Sequence, residues 1–461
     1  MAVAAFALVS LLATAFAAEI IEPVPGLDLG MEPSAERGLQ ILLNEPMAAT
    51  VLRESDIDEL WKVWEPGLRD AAESMTPEQL RIATFERYGW AERIGEKKEL
   101  PLGYNRDGNG GLVTNCFACH GGKVAGKTLP GAGNTHLDLT TLATDVRRLR
   151  VLESGGDPYS VPDVVAPFNT PLNQHKGVTN AVIFAFVFAG LRDSDRGMQY
   201  MQNPELLEHH DMNPPAWWLY KKKDKIYADS FAPKTPRQLM PFAMSPTFSE
   251  EKFHSFEPNF VHIQEFIQTL EAPKYPYEID HELAEKGRVL FEENCSKCHG
   301  TYGENWTFPN KEVPWDEVQT DPVRLNTISA EIRESANNGW LQYNGEHPLD
   351  IESEGYIAQP LDGIWATAPY FHNGAVPTLY HVFNIDERPL VWKRDENGYD
   401  KEKVGLNVEV FDAVPEGLNS RERRMYYNTA NRGNSAEGHT FPDDKLDADE
   451  KVAVIEYLKT L

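Results

Sequence analysis

Basic residues are in short supply in this chain. There are 44 Lys and Arg against 71 Asp and Glu over 461 residues, a net charge of −27. A surface of that sign excludes nucleic acid and anionic membrane surfaces as partners. Long apolar runs are missing beyond the N-terminus, which excludes a further membrane span. The most apolar interior run, Ala181 to Leu191, has the length of a buried helix. Strict alternation of apolar and polar residues is rare, so the expected fold class is mainly α. Cysteine is scarcest of all, with four residues in the whole chain.

Those four occupy two copies of one pattern. Cys116-Phe117-Ala118-Cys119-His120 and Cys295-Ser296-Lys297-Cys298-His299 are both Cys-x-x-Cys-His, with no cysteine left over. This spacing is the attachment signature of a c-type haem. Two thiols one helical turn apart reach the two vinyl groups of one porphyrin, and the following histidine binds the iron. Two complete motifs predict two covalently attached haem c groups. The competing arrangement, one four-cysteine zinc site, leaves both histidines without a role.

Residues 1–17 form an apolar run closed by Ala15-Phe16-Ala17, which reads as a secretory signal peptide without the usual leading basic residues. A periplasmic or secreted location is expected, since c-type haem is attached outside the cytoplasm in most bacteria. Two domains are expected after it. The N-terminal cytochrome c-like domain, 18–272, holds the first motif and large insertions. The C-terminal domain, 273–461, holds the second. The junction is Ala272-Pro273-Lys274-Tyr275-Pro276-Tyr277, where two prolines break any helix. A weak repeat links the halves: Ala35-Glu36-Arg37-Gly38-Leu39 matches Ala284-Glu285-Lys286-Gly287-Arg288. Each glycine is read as the point where a second helix crosses closely. Gly38 lies 78 positions before Cys116, against 8 from Gly287 to Cys295, which implies an insertion in the first copy. At the C-terminus, Asp447 and Glu450 resemble a capping box ahead of a stripe of Val452, Ile455, Leu458 and Leu461. Gly/Pro/Asn-rich stretches at 101–114, 121–135 and 300–325 suit loops wrapped over a cofactor.

Ala366-Thr367-Ala368-Pro369-Tyr370-Phe371-His372-Asn373-Gly374, followed by Thr378-Leu379, resembles the signature of the bacterial di-haem cytochrome c peroxidase superfamily. The similarity is closer to its rubber-oxygenase-like branch. Pro215-Ala216-Trp217-Trp218, Glu271-Ala272-Pro273-Lys274-Tyr275-Pro276, Pro360-Leu361-Asp362-Gly363-Ile364-Trp365 and Gly438-His439-Thr440-Phe441 carry that likeness.

The resemblance implies several roles. In the peroxidases a Met or Tyr some 17 positions after the signature proline binds the second haem; here that position is Asp386, between Ile385 and Glu387, none of them a good ligand. In the rubber-oxygenase-like branch the ligand is a histidine near the C-terminus, which points to His439 opposite His299. His372 is the second choice, with a hydrogen bond near the propionates, or packing, as its other role. At the first haem, His120 is the proximal ligand. His136 falls where some peroxidases carry a displaceable sixth ligand; its other reading is a surface or propionate-side residue. Phe231 and Phe242 are candidate distal aromatics. Trp217 or Trp218 is the candidate charge relay between the haems, or else a core residue. Carbonyls of Thr367 and Pro369 are candidate calcium ligands. The implied activity is reduction of hydrogen peroxide, or activation of dioxygen, at the first haem. A small electron-donor protein, a cytochrome or cupredoxin, would serve it. The alternatives are an oxygenase acting on a hydrophobic polyisoprenoid-like substrate and a plain electron carrier.

Overall fold

Ser34 starts the first helix by accepting the backbone N–H of Arg37 through its hydroxyl, at 3.2 Å. The computed structural model describes residues 32–94, 100–161, 173–180, 211–243, 248–338, 348–350 and 352–461. The signal segment, the Ala181–Leu191 run and the side chain of Phe242 lie outside the described residues. The helices that position the site are α1 (Ala35–Asn44), α2 (Leu139–Glu153), α3 (Glu257–Gln268), α4 (His281–Asn294), α5 (Leu379–Phe383) and α6 (Ala448–Leu458). Asp280 opens α4 by accepting the N–H groups of Glu282 and Leu283. Asp447 and Glu450 close a capping box on α6.

The same helix crossing occurs twice. A Cβ on Gly38 of α1 would stand 2.0 Å from the carbonyl oxygen of His262 on α3. A Cβ on Gly287 of α4 would stand 1.8 Å from the carbonyl oxygen of Ala453 on α6. Neither distance leaves room for a side chain, so both contacts require glycine. Each pair braces one Cys-x-x-Cys-His segment. α4 runs straight into Cys295, and Phe117 of the first motif packs edge-on against Phe266 of α3 at 6.3 Å. The α6 stripe differs from the periodic reading: Val452 is 50% exposed, and Ala453, Val454 and Tyr457 join Ile455 and Leu458 in the core.

The fold is mixed, not mainly α. Among the described residues helix accounts for 42% and strand for 16%. β1 (Thr50–Arg53), β2 (Tyr104–Arg106) and β3 (Gly111–Thr114) form an antiparallel sheet in the order β1-β3-β2. Three two-stranded ladders follow: β4 (Gly121–Val124) with β5 (Lys127–Pro130), β6 (Lys225–Ile226) with β7 (Ala232–Pro233), and β8 (Glu312–Pro314) with β9 (Gly355–Ile357). β10 (Val391–Asp400), β11 (Gly405–Phe411) and β12 (Tyr426–Asn428) make a second antiparallel sheet in the order β11-β10-β12. Ten of these twelve strands have two to four residues, too few for alternation to register in the sequence.

The core has two parts. The larger runs through both halves, from Ile41 and Leu42 of α1 to Trp217, Trp218, Trp365 and Tyr457. The smaller gathers Leu60, Tyr88, Trp90, Leu112 and Leu149 between the inserted segment, β3 and α2. Among the described residues no helix is long and apolar enough to cross a membrane.

Candidate haem sites

Each motif forms one turn of helix, Phe117–His120 and Ser296–His299. A single turn places the histidine beyond both cysteines, while its ring is free to be held from outside. In each case a backbone carbonyl holds it. His120 Nδ1 lies 3.0 Å from the carbonyl oxygen of Pro215, and His299 Nδ1 lies 2.8 Å from that of Gln359. A carbonyl only accepts, so Nδ1 carries the proton in both rings and the lone pair is left on Nε2. That is the tautomer an iron ligand requires, with the second ring nitrogen orienting it. Burial pushes His120 down to about 4 and lowers His299 as well, so both stay neutral and able to coordinate.

The cysteines are half-buried. Burial pushes Cys116 up to about 12, Cys119 to about 11 and Cys295 to about 12. A structural zinc site needs thiolates brought to one point. Among the described residues no group of three or more His, Cys, Asp or Glu is placed to hold a metal ion, so the two motifs do not merge into one.

His439 faces His299. Their ring centres are 6.2 Å apart and their planes inclined at 65°. A metal–imidazole bond is about 2.0–2.1 Å long, and a ring nitrogen stands about 1.1 Å from its ring centre. Two imidazoles on opposite sides of one iron therefore have centres about 6.2–6.4 Å apart. The observed spacing fits a bis-histidine haem. Burial, followed by the neighbouring His299 and Arg388, pushes His439 down to about 4.

Trp217 and Trp218 sit on one 3-10 turn, Trp217–Lys222, and face different motifs. Trp217 stacks on His120 with ring centres 4.8 Å apart and planes 25° apart. Trp218, 2% exposed, donates its indole N–H to the carbonyl of Asp362 at 2.8 Å. Asp362 follows closely on Gln359, the residue that holds His299. Adjacent indoles thus span from one motif histidine to the segment that anchors the other.

His136 lies against the second sheet, its Nε2 donating to the carbonyl of Glu396 at 3.0 Å. His372 stacks on Tyr356 at 4.3 Å, and burial pushes it down to about 3. Phe231 stacks on Tyr227 and lies under the guanidiniums of Arg324 and Arg333, which share the buried carboxylate of Asp229. The carbonyls of Thr367 and Pro369 converge on the amide of Asn213, whose Nδ2 is 2.5 Å from the Pro369 oxygen. Nothing in the sequence singles out Pro215, Gln359, Asn213 or Arg388 for these roles. The first two act through backbone carbonyls, which leave no mark in side-chain identity. Arg388 stands 51 residues from the histidine loop it holds.

A family model described as RoxA-like, cytochrome c-like matches residues 355–393. That stretch carries Gln359, Asp362, Phe371, His372 and Arg388. The uncharacterized protein y4iM of Sinorhizobium fredii is 28% identical over 43% of this chain and 53% of its own length. A second uncharacterized protein of that bacterium, y4iJ, is 38% identical over 32% of this chain and 23% of its own. The chain spans about half the length of the first relative and about a quarter of the second. Residues 355–393 are a cytochrome c-like segment of the RoxA-like type, which agrees with the rubber-oxygenase-like resemblance of the motifs.

Proposed function

We propose that this protein is an exported di-haem c-type oxidoreductase, periplasmic or secreted. Cys116 and Cys119 would hold one haem with His120 as its axial ligand. Cys295 and Cys298 would hold the other between His299 and His439. A bound haem c supplies a redox-active iron, closed to substrates when two strong ligands flank it and open to peroxide or dioxygen when one does.

The observation that carries this reading is the contrast between the two histidines of the motifs. His299 has an imidazole facing it at the spacing of a shared iron. His120 has its lone pair set up in the same way, with its ring stacked on an indole. His136, with Nε2 engaged by Glu396, supports the second of its two readings, a residue beside the cofactor rather than its cap. The second motif then serves electron transfer and the first serves reaction with hydrogen peroxide or dioxygen. Trp217 and Trp218 would relay charge between them. A small donor, a cytochrome or cupredoxin, would supply electrons, and the acidic surface favours a basic one. A calcium ion held by Thr367, Pro369 and Asn213 would require the Asn213 amide turned so that Oδ1, which is buried without a partner, faces the ion.

The RoxA-like match favours a second reading, an oxygenase acting on a hydrophobic polyisoprenoid-like substrate. One preparation tests both. Purified holoprotein is expected to carry two haems by mass, one low-spin and one reactive. Adding peroxide or cyanide should shift the reactive signal, and turnover of peroxide with a reduced donor, against oxygen uptake with a polyisoprenoid, separates the two readings. Two low-spin haems that ignore every addition would leave only an electron carrier.

A further inference from the structure

His120 and His299 are each oriented by a ring hydrogen bond to a backbone carbonyl. His439 has no such bond: its Nδ1 is buried without a partner. Its aim at His299 therefore depends on its backbone, and that backbone is unfavourable. His439 has φ 49° and follows Gly438 at φ 79°, a left-handed pair that a non-glycine residue rarely adopts.

The loop is held at several points. Asn373 Nδ2 donates to the carbonyls of Gly433 and Ser435, and the N–H of Ser435 donates to Asp321. The N–H of His439 donates to the carbonyl of Val318 at 2.7 Å. Between these points stands Arg388. Its Nη1 donates to Ala436 at 2.6 Å and Gly438 at 2.8 Å. Its Nε and Nη2 donate to His381 at 2.9 Å and Val382 at 3.1 Å in α5. Its guanidinium lies 5.0 Å over Phe371, whose ring is 6.1 Å from that of His439. The planar fork joins two sets of carbonyls in one rigid unit, which a lysine ammonium cannot do in the same geometry.

We propose that Arg388 is the positioning residue for His439, replacing through the backbone the ring hydrogen bond that the other two histidines have. The inference rests on reading His439 as an iron ligand.

The test uses full-length ferric holoprotein and compares wild type, Arg388→Gln, Arg388→Lys and His439→Ala by electron paramagnetic resonance and cyanide binding. His439→Ala is expected to turn the second haem fully high-spin and to recover its low-spin signal with added imidazole. Arg388→Gln is expected to give a mixture at that haem, with cyanide binding at least tenfold faster there and the first haem unchanged. Arg388→Lys should give a smaller high-spin fraction than Arg388→Gln, and it carries the same reading should Arg388→Gln fail to assemble with two haems. A second haem that stays wholly low-spin and as slow to bind cyanide as wild type in the Arg388 variants, while His439→Ala converts, overturns the inference and leaves the ligand assignment standing. A low-spin second haem in His439→Ala overturns the ligand assignment itself, and the inference with it.

Discussion

His299 and His439 face each other across 6.2 Å, yet only His299 has its ring fixed by a hydrogen bond, at 2.8 Å to Gln359. One histidine is anchored and the other is carried by a left-handed turn. The pair is thus asymmetric in how firmly each side is held, and the His439 side is the one open to redesign.

Replacing His439 with Met should keep the second haem six-coordinate, because the flexible thioether reaches across the same gap. Met/His ligation raises the reduction potential relative to bis-histidine. A redox titration is expected to show the midpoint of that haem moving to more positive values. An unchanged midpoint would remove His439 from the iron.

Trp217 and Trp218 separate two effects that a single tryptophan would mix. Trp217→Leu removes the indole stacked on His120, and electron exchange between the haems is expected to slow about tenfold, some 1.4 kcal/mol in barrier height. Trp218→Phe keeps an aromatic but orphans the Asp362 carbonyl, at a cost of about 1–2 kcal/mol in stability. Stopped-flow reduction and urea titration of both variants would read the two effects, and equal rates in all three proteins would rule out the relay.

Gly287→Ala places a methyl group 1.8 Å from the Ala453 oxygen. The crossing of α4 and α6 must open, and the loss should be about 2–3 kcal/mol despite the better helix propensity of Ala. Gly38→Ala should behave alike at the α1–α3 crossing, with 2.0 Å to the His262 oxygen. Denaturant midpoints check both, and a neutral effect at either site would mean the helices are less tightly crossed than described.

His136→Ala should leave the spin state of the first haem unchanged, because Nε2 is committed to the Glu396 carbonyl. A stability loss of about 1 kcal/mol is expected from the orphaned carbonyl. New high-spin signal in this variant would make His136 the cap of that iron.

Stability should fall with acid. His381, whose Nδ1 meets the Thr378 hydroxyl at 2.7 Å, is pushed down to about 4 by burial and the nearby Lys403. His372 is pushed down to about 3 by burial and Arg324. Both are neutral in the folded chain and titrate near 6.5 once unfolded, so the unfolded state binds more protons between those values. Their contribution is complete above pH 6.5 and is lost progressively as the pH falls toward 4. Urea midpoints at pH 7 and 5 should show the decline, and His381→Gln should reduce it.

Much of the candidate site was legible because its chemistry sits in contiguous residues. Both Cys-x-x-Cys-His segments and the capping box of Asp447 and Glu450 depend on neighbours within a turn. The strands were not legible, since Lys225–Ile226 or Gly355–Ile357 is too short for any period to show. Val452 was misread because the buried face of α6 follows its contact with α4 rather than its most regular stripe.

The sequence by itself determined two Cys-x-x-Cys-His segments, each with the signature of haem attachment, since thiol spacing and the adjoining histidine are set by one helical turn. Only the tertiary structure decided how each histidine is used. Carbonyls from residues 60 and 95 positions away fix the ring tautomers of His299 and His120. A loop 140 positions beyond the second motif brings His439 opposite His299. Coordination needs a lone pair aimed to within a fraction of an ångström, and that aim comes from backbone groups that converge only when the chain is folded.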